Sequence, residues 1–287
     1  VINNELVKYN LRECVLSSSS YNDPILLKLL KVHKNLNIYP YFEWDFYVDK
    51  AEDLLKNHFS IKSLKSFNLD DKYCASKACA GLIGYLKHTQ KNNIQHIKSI
   101  TALKDSNYVG LDRATITNLE LFNTIREGSK KGTLLDLMDN TITSMGGRLL
   151  KDWLIRPLVN KNEINNRFLC VEWFIENKVS REKSRESLLS IGDIERILAK
   201  ISCNLANPKD LINLKGSLQN ATTLIFENKS IPQLNINTDL TKINQIISQI
   251  QNTIHEDCPI DPKNGDFIKD GISQELDTLK QKINGSK

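Results

Sequence analysis

The spacing of apolar residues changes along the chain, from a mixed pattern to one that is almost wholly helical. Residues 13–16 form a short apolar run that predicts a strand, followed by a serine loop at 17–20. Asp23-Pro24 favours a helix start, because proline suits the first helical position. Residues 37–42 indicate an extended edge segment that includes a proline, which has no amide hydrogen to donate to a neighbouring strand. Residues 1–88 are therefore predicted to form an α/β domain.

Two further helices are predicted within this first region. Asp49 is placed to cap one of them, and its apolar face would include His58 and Phe59. The other contains residues 75–84, which are rich in alanine and glycine. Small side chains let a neighbouring element approach closely. We therefore expect this second helix to be buried at a domain junction.

Beyond residue 88 the pattern indicates a polar connection and then a helical domain. Residues 89–110 are predicted to be a linker, with a brief strand starting at Tyr108. From residue 111 onward, apolar residues recur at helical spacing, and Trp153 lies on one of these stripes as an expected core residue. Helix starts are predicted after the caps Asp112, Thr143, Asn160, Asp193, Asn207 and Ser273. The fold class is thus mainly α, with a helical domain at 111–270 and a further helix starting in 271–287.

Composition narrows the function classes only slightly. The net charge of +5 is compatible with a nucleic acid partner, but acidic residues are interspersed among the cations, as in residues 180–186. No apolar run approaches the roughly 18 residues that a membrane-spanning helix needs. The first five residues lack the features of a signal peptide, and the absence of an initial Met suggests a piece of a longer protein. We therefore expect a cytoplasmic protein without membrane contact.

The cysteines and histidines show no pattern typical of a metal site. Six cysteines are scattered without a CxxC pair, and the five histidines include no i, i+4 pair. The sequence therefore predicts reduced, mostly buried thiols and no metal-binding residues. His58, beside Phe59, is expected to be a half-buried helix residue rather than a ligand or a base.

Candidate catalytic patterns have simpler structural interpretations. No G-x-x-x-x-G-K-[ST] motif occurs, and the stretch Met145-Gly-Gly-Arg148 is better explained as a tightly packed helix start than as a phosphate loop. Asp193 and Glu195 could form a carboxylate pair for acid–base chemistry. A helix cap and a favourable first-turn charge explain them better. Arg148 is expected to pair with a carboxylate of a neighbouring segment. We predict no catalytic residue and no cofactor-binding residue.

Two motifs occur in a characteristic order, Leu111-Asp-Arg-Ala-Thr-Ile116 and then Trp153-Leu-Ile-Arg-Pro-Leu158. The first resembles the start of the core domain, and the second the Trp-Leu-x-x-Pro-Leu motif, of the MutS family of bacterial DNA mismatch repair proteins. Similar blocks in the same order occupy residues 43–46, 81–90, 131–150, 191–196, 206–211 and 267–279. Each block alone is weakly specific, but together they cover nearly the whole chain.

The resemblance implies a specific domain organisation. Residues 1–88 would be the second half of a connector domain, 89–110 a linker, 111–270 the helical core domain, and 271–287 the start of a lever helix. This piece would be a scaffold that links the mismatch-reading, clamp and ATPase domains of a longer protein, and the connector would serve as a partner-binding surface.

The resemblance also implies partners and cofactors. The longer protein would be an ATPase that uses ATP and magnesium, although this piece would hold no cofactor and have no enzyme activity. It would bind mismatched duplex DNA, bind MutL through the connector, and form a homodimer. The alternative is an independent helical module that binds nucleic acid or another protein, which only the mildly basic charge favours.

Overall fold

The structure is a computed structural model that describes residues 6, 11–33, 35–67, 69, 71–90, 94–101, 107–229, 231 and 239–284. Contacts between residues divide the chain into two units. The first unit comprises Val1–Leu137 with Ile155–Pro157, and the second comprises Met138–Leu154 with Leu158–Lys287.

Strands occur only near the start of the described chain, and helices make up most of the rest. The elements before residue 119 are β1 (Glu13–Ser17), α1 (Ser18–Tyr21), α2 (Pro24–Leu30), β2 (Asn37–Tyr41), a 3₁₀ turn (Glu43–Phe46), α3 (Val48–Phe59), a 3₁₀ turn (Leu64–Phe67), α4 (Tyr73–Thr89) and α5 (Arg113–Asn118). They are followed by α6 (Leu134–Met138), α7 (Ser144–Ile155), α8 (Lys161–Glu176), α9 (Lys178–Leu189), α10 (Ile194–Ser202), α11 (Pro208–Glu227), α12 (Leu240–Thr253), a 3₁₀ turn (Pro262–Asn264) and α13 (Gln274–Asn284). The expected mainly α fold is confirmed.

The two strands form a parallel pair whose connection is helical. Glu13 pairs with Asn37 at one end and Ser17 pairs with Tyr41 at the other. Parallel strands need a crossover, which α1 and α2 supply. Asp23 caps α2 as predicted, with its carboxylate accepting from the two amides that follow Pro24.

The serine loop predicted at 17–20 is instead a helical turn. The hydroxyl of Ser17 accepts a hydrogen bond from the amide of Ser20, at 3.3 Å, and so caps α1. Serine is favoured at such caps because its short side chain reaches the exposed amides. The prediction was wrong because four consecutive serines suit both a loop and a capped turn.

Helices α3 and α4 enclose the core of the first unit. Its buried residues are Ala51, Leu55, Leu64, Leu69, Ala80, Ile83 and Ile94. The prediction that Asp49 caps α3 was wrong, because Tyr47 occupies the cap position without a side-chain hydrogen bond. Asp49 lies in the first turn, where its charge favours the helix electrostatically.

The small residues of α4 allow close contact with the Glu43–Phe46 turn. Gly81 lies against the Phe46 ring and leaves no room for a side chain, and a Cβ added at Gly84 would lie 2.5 Å from an oxygen of Asp45. The expected burial is confirmed for Gly81 and Gly84. Their close neighbours belong to the same unit, whereas the sequence had suggested a domain junction.

Part of the predicted linker packs on this core. Ile94 is buried, Ile97 and Ile100 pack beside it, and Nε2 of His58 is 3.0 Å from the Ile97 carbonyl oxygen. His58 is half-buried, as expected. The brief strand expected from Tyr108 is reduced to one bridge residue. Residues 91–93 and 102–106 of the predicted linker lie outside the described residues.

Helix α5 is shorter than its apolar pattern suggested. Asp112 caps it as predicted, accepting from the Thr115 amide at 2.7 Å. The helix ends at Asn118, and Glu120 adopts a positive φ of 46°. Leu119, which lies at helical spacing from the buried Ile116, is 60% exposed, whereas Leu121 is buried.

The core of the second unit lies among α10, α11 and α12. Its buried residues are Ile197, Leu214, Ile250, Ile254 and Cys258. The predicted caps of α8, α10 and α11 are confirmed, and Asn207 and Asp210 form a reciprocal capping box at the start of α11. An antiparallel bridge joins Ile254 to Ile268.

The burial expected for Trp153 and for most of the cysteines was wrong. Trp153 is 40% exposed, and the Arg167 guanidinium carbon lies 3.6 Å from its ring centroid, so a cation covers a ring that was expected in the core. On α8, Phe168 is 65% exposed. Cys258 is the one buried cysteine of the described chain, although most thiols were expected inside. Helical spacing identifies an apolar face but does not show what covers it.

No helix within the described ranges is long and apolar enough to cross a membrane.

The contact at Gly81 gives a test of this packing. We expect Gly81→Ala to destabilise the chain by about 1–3 kcal/mol, because the added methyl group overlaps the Phe46 ring. Gly216 of α11 has no atom within 4 Å of an added Cβ and is the matched control. Gly216→Ala should stabilise by up to about 1 kcal/mol, since alanine favours a helix. Chemical denaturation measures both, and equal effects of the same sign would contradict the packing.

Candidate functional site

A bidentate ion-pair cluster joins two helices of the second unit. Arg148 lies on α7, and its guanidinium donates to both carboxylate oxygens of Asp193, at 2.9 and 2.7 Å. The same guanidinium donates twice to Oε2 of Glu195, at 2.9 and 2.7 Å. We call these three residues the Arg148 junction. The sequence predicted a carboxylate partner for Arg148, and the structure identifies two.

Local sequence places both carboxylates at one helix end. Asp193 caps α10, accepting from the Arg196 amide at 3.2 Å, and Glu195 lies in the first turn. The exposed amides at a helix N-terminus favour negative charge, so α10 and Arg148 act on the two carboxylates together. The predicted cap and first-turn roles are therefore confirmed.

The start of α7 brings Arg148 to this position. The Thr143 hydroxyl accepts from the Gly146 amide at 3.0 Å, so it caps the first turn as predicted. A Cβ added at Gly146 would lie 3.1 Å from the Thr143 hydroxyl oxygen, and one at Gly147 would lie 3.2 Å from that of Thr141. The two glycines therefore serve a tightly packed helix start, as expected.

The pKa values of the Arg148 junction reflect its ion pairs. Hydrogen bonds from Arg148 lower the pKa of Asp193 to about 2, and the Arg196 amide contributes in the same direction. The hydrogen bonds that Arg148 donates to Asp193, and then those to Glu195, raise the pKa of its guanidinium above the ordinary value. Because Asp193 stays ionised at neutral pH, it is a poor proton donor there. The arrangement fixes one helix against another.

A cleft of about 660 Å³ lies beside the Arg148 junction, between α10 and α11. Its charged groups are paired, since Lys200 binds Asp210 at 2.8 Å and Arg196 lies 3.4 Å from Asp193. The Gly192 amide donates to the Ser217 hydroxyl at 3.0 Å. These contacts tie α10 and its preceding loop to α11.

A second ion pair joins α11 to the segment after α12. Nζ of Lys215 lies 2.7 Å from Oε1 of Glu256, and the lysine side chain is 9% exposed. The hydrogen bond from Lys215 lowers the pKa of Glu256. Separating the two residues would leave the buried lysine charge without a partner, which would destabilise the fold. The pair therefore fixes α11 against the segment after α12.

The first unit carries an aromatic concavity that faces solvent. Its volume is about 420 Å³, and we call it the aromatic cradle; it is lined by Ser18, Tyr39, Pro40, Tyr41, Phe42, Tyr85 and His88. Beside it, the rings of Phe42 and Trp44 stack with centroids 4.4 Å apart, and these two residues are 43% and 47% exposed. Large exposed aromatic residues in one patch are typical of an interaction surface.

Strand β2 and helix α4 together build the aromatic cradle. Tyr41 lies at the end of β2, and its ring meets Tyr85 of α4 edge to face, with centroids 5.7 Å apart. Burial, together with the charge and hydrogen bond of Asp45, raises the pKa of Tyr41 to about 12. The phenol is therefore neutral at physiological pH.

Sequence reasoning missed this surface, although a signal was present. Six Phe, Tyr or Trp residues fall within residues 39–47. One half-buried strand and a turn cannot bury six large aromatic side chains, so some of them must be exposed. Within the described residues, no group of three or more His, Cys, Asp or Glu side chains could hold a metal ion. The absence of catalytic and cofactor-binding residues stays a prediction.

The lowered pKa of Asp193 predicts when the Arg148 junction fails. Since the folded-state pKa of about 2 lies below the unfolded value of about 3.9, the pair contributes stability above about pH 4. That contribution is lost as the pH falls from about 4 to 2. Carbon-detected NMR titration of the Asp193 carboxyl measures the pKa directly.

The matched variant is Asp193→Asn, which keeps a good helix cap but removes the charge. The stability difference between the unaltered chain and this variant should be constant near neutral pH and shrink below about pH 4. Titration of Asp193 near its ordinary pKa, or a difference that persists to about pH 2, would contradict the ion pair.

Comparison with family models gives two matches in order along the chain. Residues 2–98 match MutS domain II, and residues 114–284 match MutS domain III.

Curated relatives agree with these matches. The chain is 38% identical over 240 residues to the DNA mismatch repair protein MutS of Halothermothrix orenii, which covers 82% of this chain and 26% of that protein. It is 33% identical over 285 residues to the MutS of Caldanaerobacter subterraneus subsp. tengcongensis, covering 98% of this chain and 32% of that protein. The chain thus spans about a third or less of the length of these relatives. Because the domain III match alone covers more than half of its residues, the chain belongs to the MutS family of DNA mismatch repair proteins.

Proposed function

We propose that this chain is the scaffold and partner-binding part of a DNA mismatch repair ATPase. The observation that supports this most strongly is the ordered match to MutS domains II and III across almost the whole chain. The proposed division keeps the sequence-based boundaries. Residues 1–88 serve as part of the connector, 89–110 as a linker, 111–270 as the core, and 271–287 as the start of the lever helix.

The proposed scaffold works through discrete contacts between helices. The Arg148 junction holds α7 to α10, and the pair of Lys215 and Glu256 holds α11 to the segment after α12. Contacts of this kind either form or break, so packed helices move as rigid bodies between defined arrangements. This property suits a domain that lies between a nucleotide-binding part and a DNA-binding part.

ATP hydrolysis and mismatch recognition belong, in this proposal, to the complete protein. That protein would use ATP and magnesium, act as a homodimer on mismatched duplex DNA, and work in the cytoplasm. This chain would supply no nucleotide binding, because its sequence has no P-loop motif. Mismatch discrimination would fall to another part of the complete protein.

The first unit would bind the partner protein MutL through its exposed aromatic surface. Phe42 and Trp44 present stacked rings, and aromatic residues of this kind often contribute most to the affinity of a protein interface. The alternative, an independent nucleic-acid-binding module, has only the net charge of +5 in its favour. Acidic residues are interspersed among the basic ones along the chain, so no continuous basic stretch favours nucleic acid. The partner-binding scaffold is therefore the better proposal.

A titration of the chain with a purified MutL-family protein tests the proposal. We expect saturable binding, which Phe42→Ala with Trp44→Ala should weaken about tenfold or more, since these rings would be central to the interface. Phe168→Ala is the matched control, because Phe168 is an aromatic residue of the second unit that is even more exposed, at 65%. It should leave the affinity unchanged.

The chain is also titrated, by calorimetry, with magnesium-ATP and with a mismatched duplex. Neither should bind with the saturable micromolar affinity of a specific site, and weak duplex binding should fall steeply with salt. Tight ATP binding, a clear preference for the mismatch, or no interaction with MutL would each contradict part of the proposal.

A further inference from the structure

The aromatic cradle has a floor of rings and an open mouth. Tyr41 contacts Phe42, Tyr85 and His88, with ring centroids 4.9, 5.7 and 6.4 Å apart. Tyr39 at the rim is 39% exposed. The volume of about 420 Å³ lies within the usual range for a site that encloses a small chemical group.

The polar atoms of the aromatic cradle are mainly acceptors. The Tyr85 hydroxyl donates a long hydrogen bond, 3.4 Å, to Oε2 of Glu13, and the Tyr41 hydroxyl donates to Asp45. With their protons committed to carboxylates, both phenol oxygens keep lone pairs available to an incoming donor. Burial first, and then the neighbouring carboxylate, raises the pKa of each phenol, so both remain neutral.

The electrostatics of the aromatic cradle therefore favour a cation. The faces of aromatic rings carry partial negative charge, and two carboxylates, Glu13 and Asp45, contact the hydroxyls of the lining tyrosines. Among the described residues, those that line the cradle include no lysine or arginine. A phosphate group would meet ring faces and phenol lone pairs, with the carboxylates of Glu13 and Asp45 behind the phenols and His88 as the one imidazole among the described lining residues. This arrangement disfavours a nucleic acid strand.

We propose that the aromatic cradle binds an arginine or lysine side chain from a partner protein. The cation would lie over the rings while its N–H groups donate to the phenol oxygens, with Glu13 and Asp45 supplying the complementary charge. This inference rests on the proposed partner-binding role of the first unit, and it specifies which chemistry the partner must present.

Small probes test the aromatic cradle independently of any partner protein. N-acetyl-arginine amide is titrated into the full 287-residue chain while NMR follows the ring resonances of Tyr39, Tyr85 and His88. The neutral isostere N-acetyl-citrulline amide is titrated in parallel. We expect the arginine probe to shift these resonances and to bind several-fold more tightly, with an advantage that falls as salt is added. Equal binding of the two probes would overturn the proposal.

Charge-removing variants keep the shape of the aromatic cradle. Glu13→Gln with Asp45→Asn should weaken arginine binding several-fold, while unchanged near-UV circular dichroism would show that the aromatic packing is retained. Glu186→Gln, which removes an exposed carboxylate of the second unit, is the matched control and should have no effect. Full arginine affinity in the double variant would overturn the proposal. A thymidine oligonucleotide that shifts the same rings would do so as well.

The outcomes separate this inference from the proposed function. If the arginine probe binds but the MutL-family protein does not, the proposed function fails and the cation site stands. If the unaltered chain and the Glu13→Gln, Asp45→Asn variant bind MutL equally well, the partner-binding function stands. The aromatic cradle is then not the site that binds MutL.

Discussion

The guanidinium of Arg148 joins α7 to the start of α10 in the second unit. It satisfies two carboxylates at once, and both belong to the first turn of α10 or its cap. Without that cation, Asp193 and Glu195 would repel each other beside a helix end that alone attracts them only weakly. Capping, helix polarity and ion pairing therefore act on the same few atoms. The adjoining α10–α11 cleft and the buried Lys215 extend the fixed arrangement through the rest of the unit.

The first unit is held together differently. The Glu43–Phe46 turn approaches α4 closely because Gly81 and Gly84 have no side chains, and Phe46 and Asp45 occupy the space this leaves. The same turn carries the exposed Trp44, whose ring stacks on Phe42 at the edge of the aromatic cradle. The packing of this unit and its exposed aromatic surface thus share one short segment, which is fixed against α4. A pre-organised surface loses less entropy on binding.

Most helix caps were predictable from sequence, although the cap of α3 and the helical turn at the serines were not, and most tertiary contacts were not predictable. The caps at Asp23, Asp193 and Asn207 depend on residues within one helical turn, so the sequence alone identified them. The burial expected for Trp153 was wrong, because its exposure depends on which elements cover α7 and on the Arg167 cation. The partners of Arg148 lie 45 and 47 residues away, beyond any local pattern. The high number of aromatic residues in 39–47 indicated an aromatic surface. Its concave shape was not predictable, because it requires β2 and α4 to lie side by side.

A double-mutant cycle between Arg148 and Asp193 tests the central claim most directly. Denaturation midpoints are measured for the unaltered chain, Arg148→Gln, Asp193→Asn and the double variant at neutral pH and low salt. If the guanidinium binds this carboxylate, the double variant should lose clearly less stability than the two single losses added together. Losses that simply add would show that the two residues act independently, and would contradict the account of the Arg148 junction.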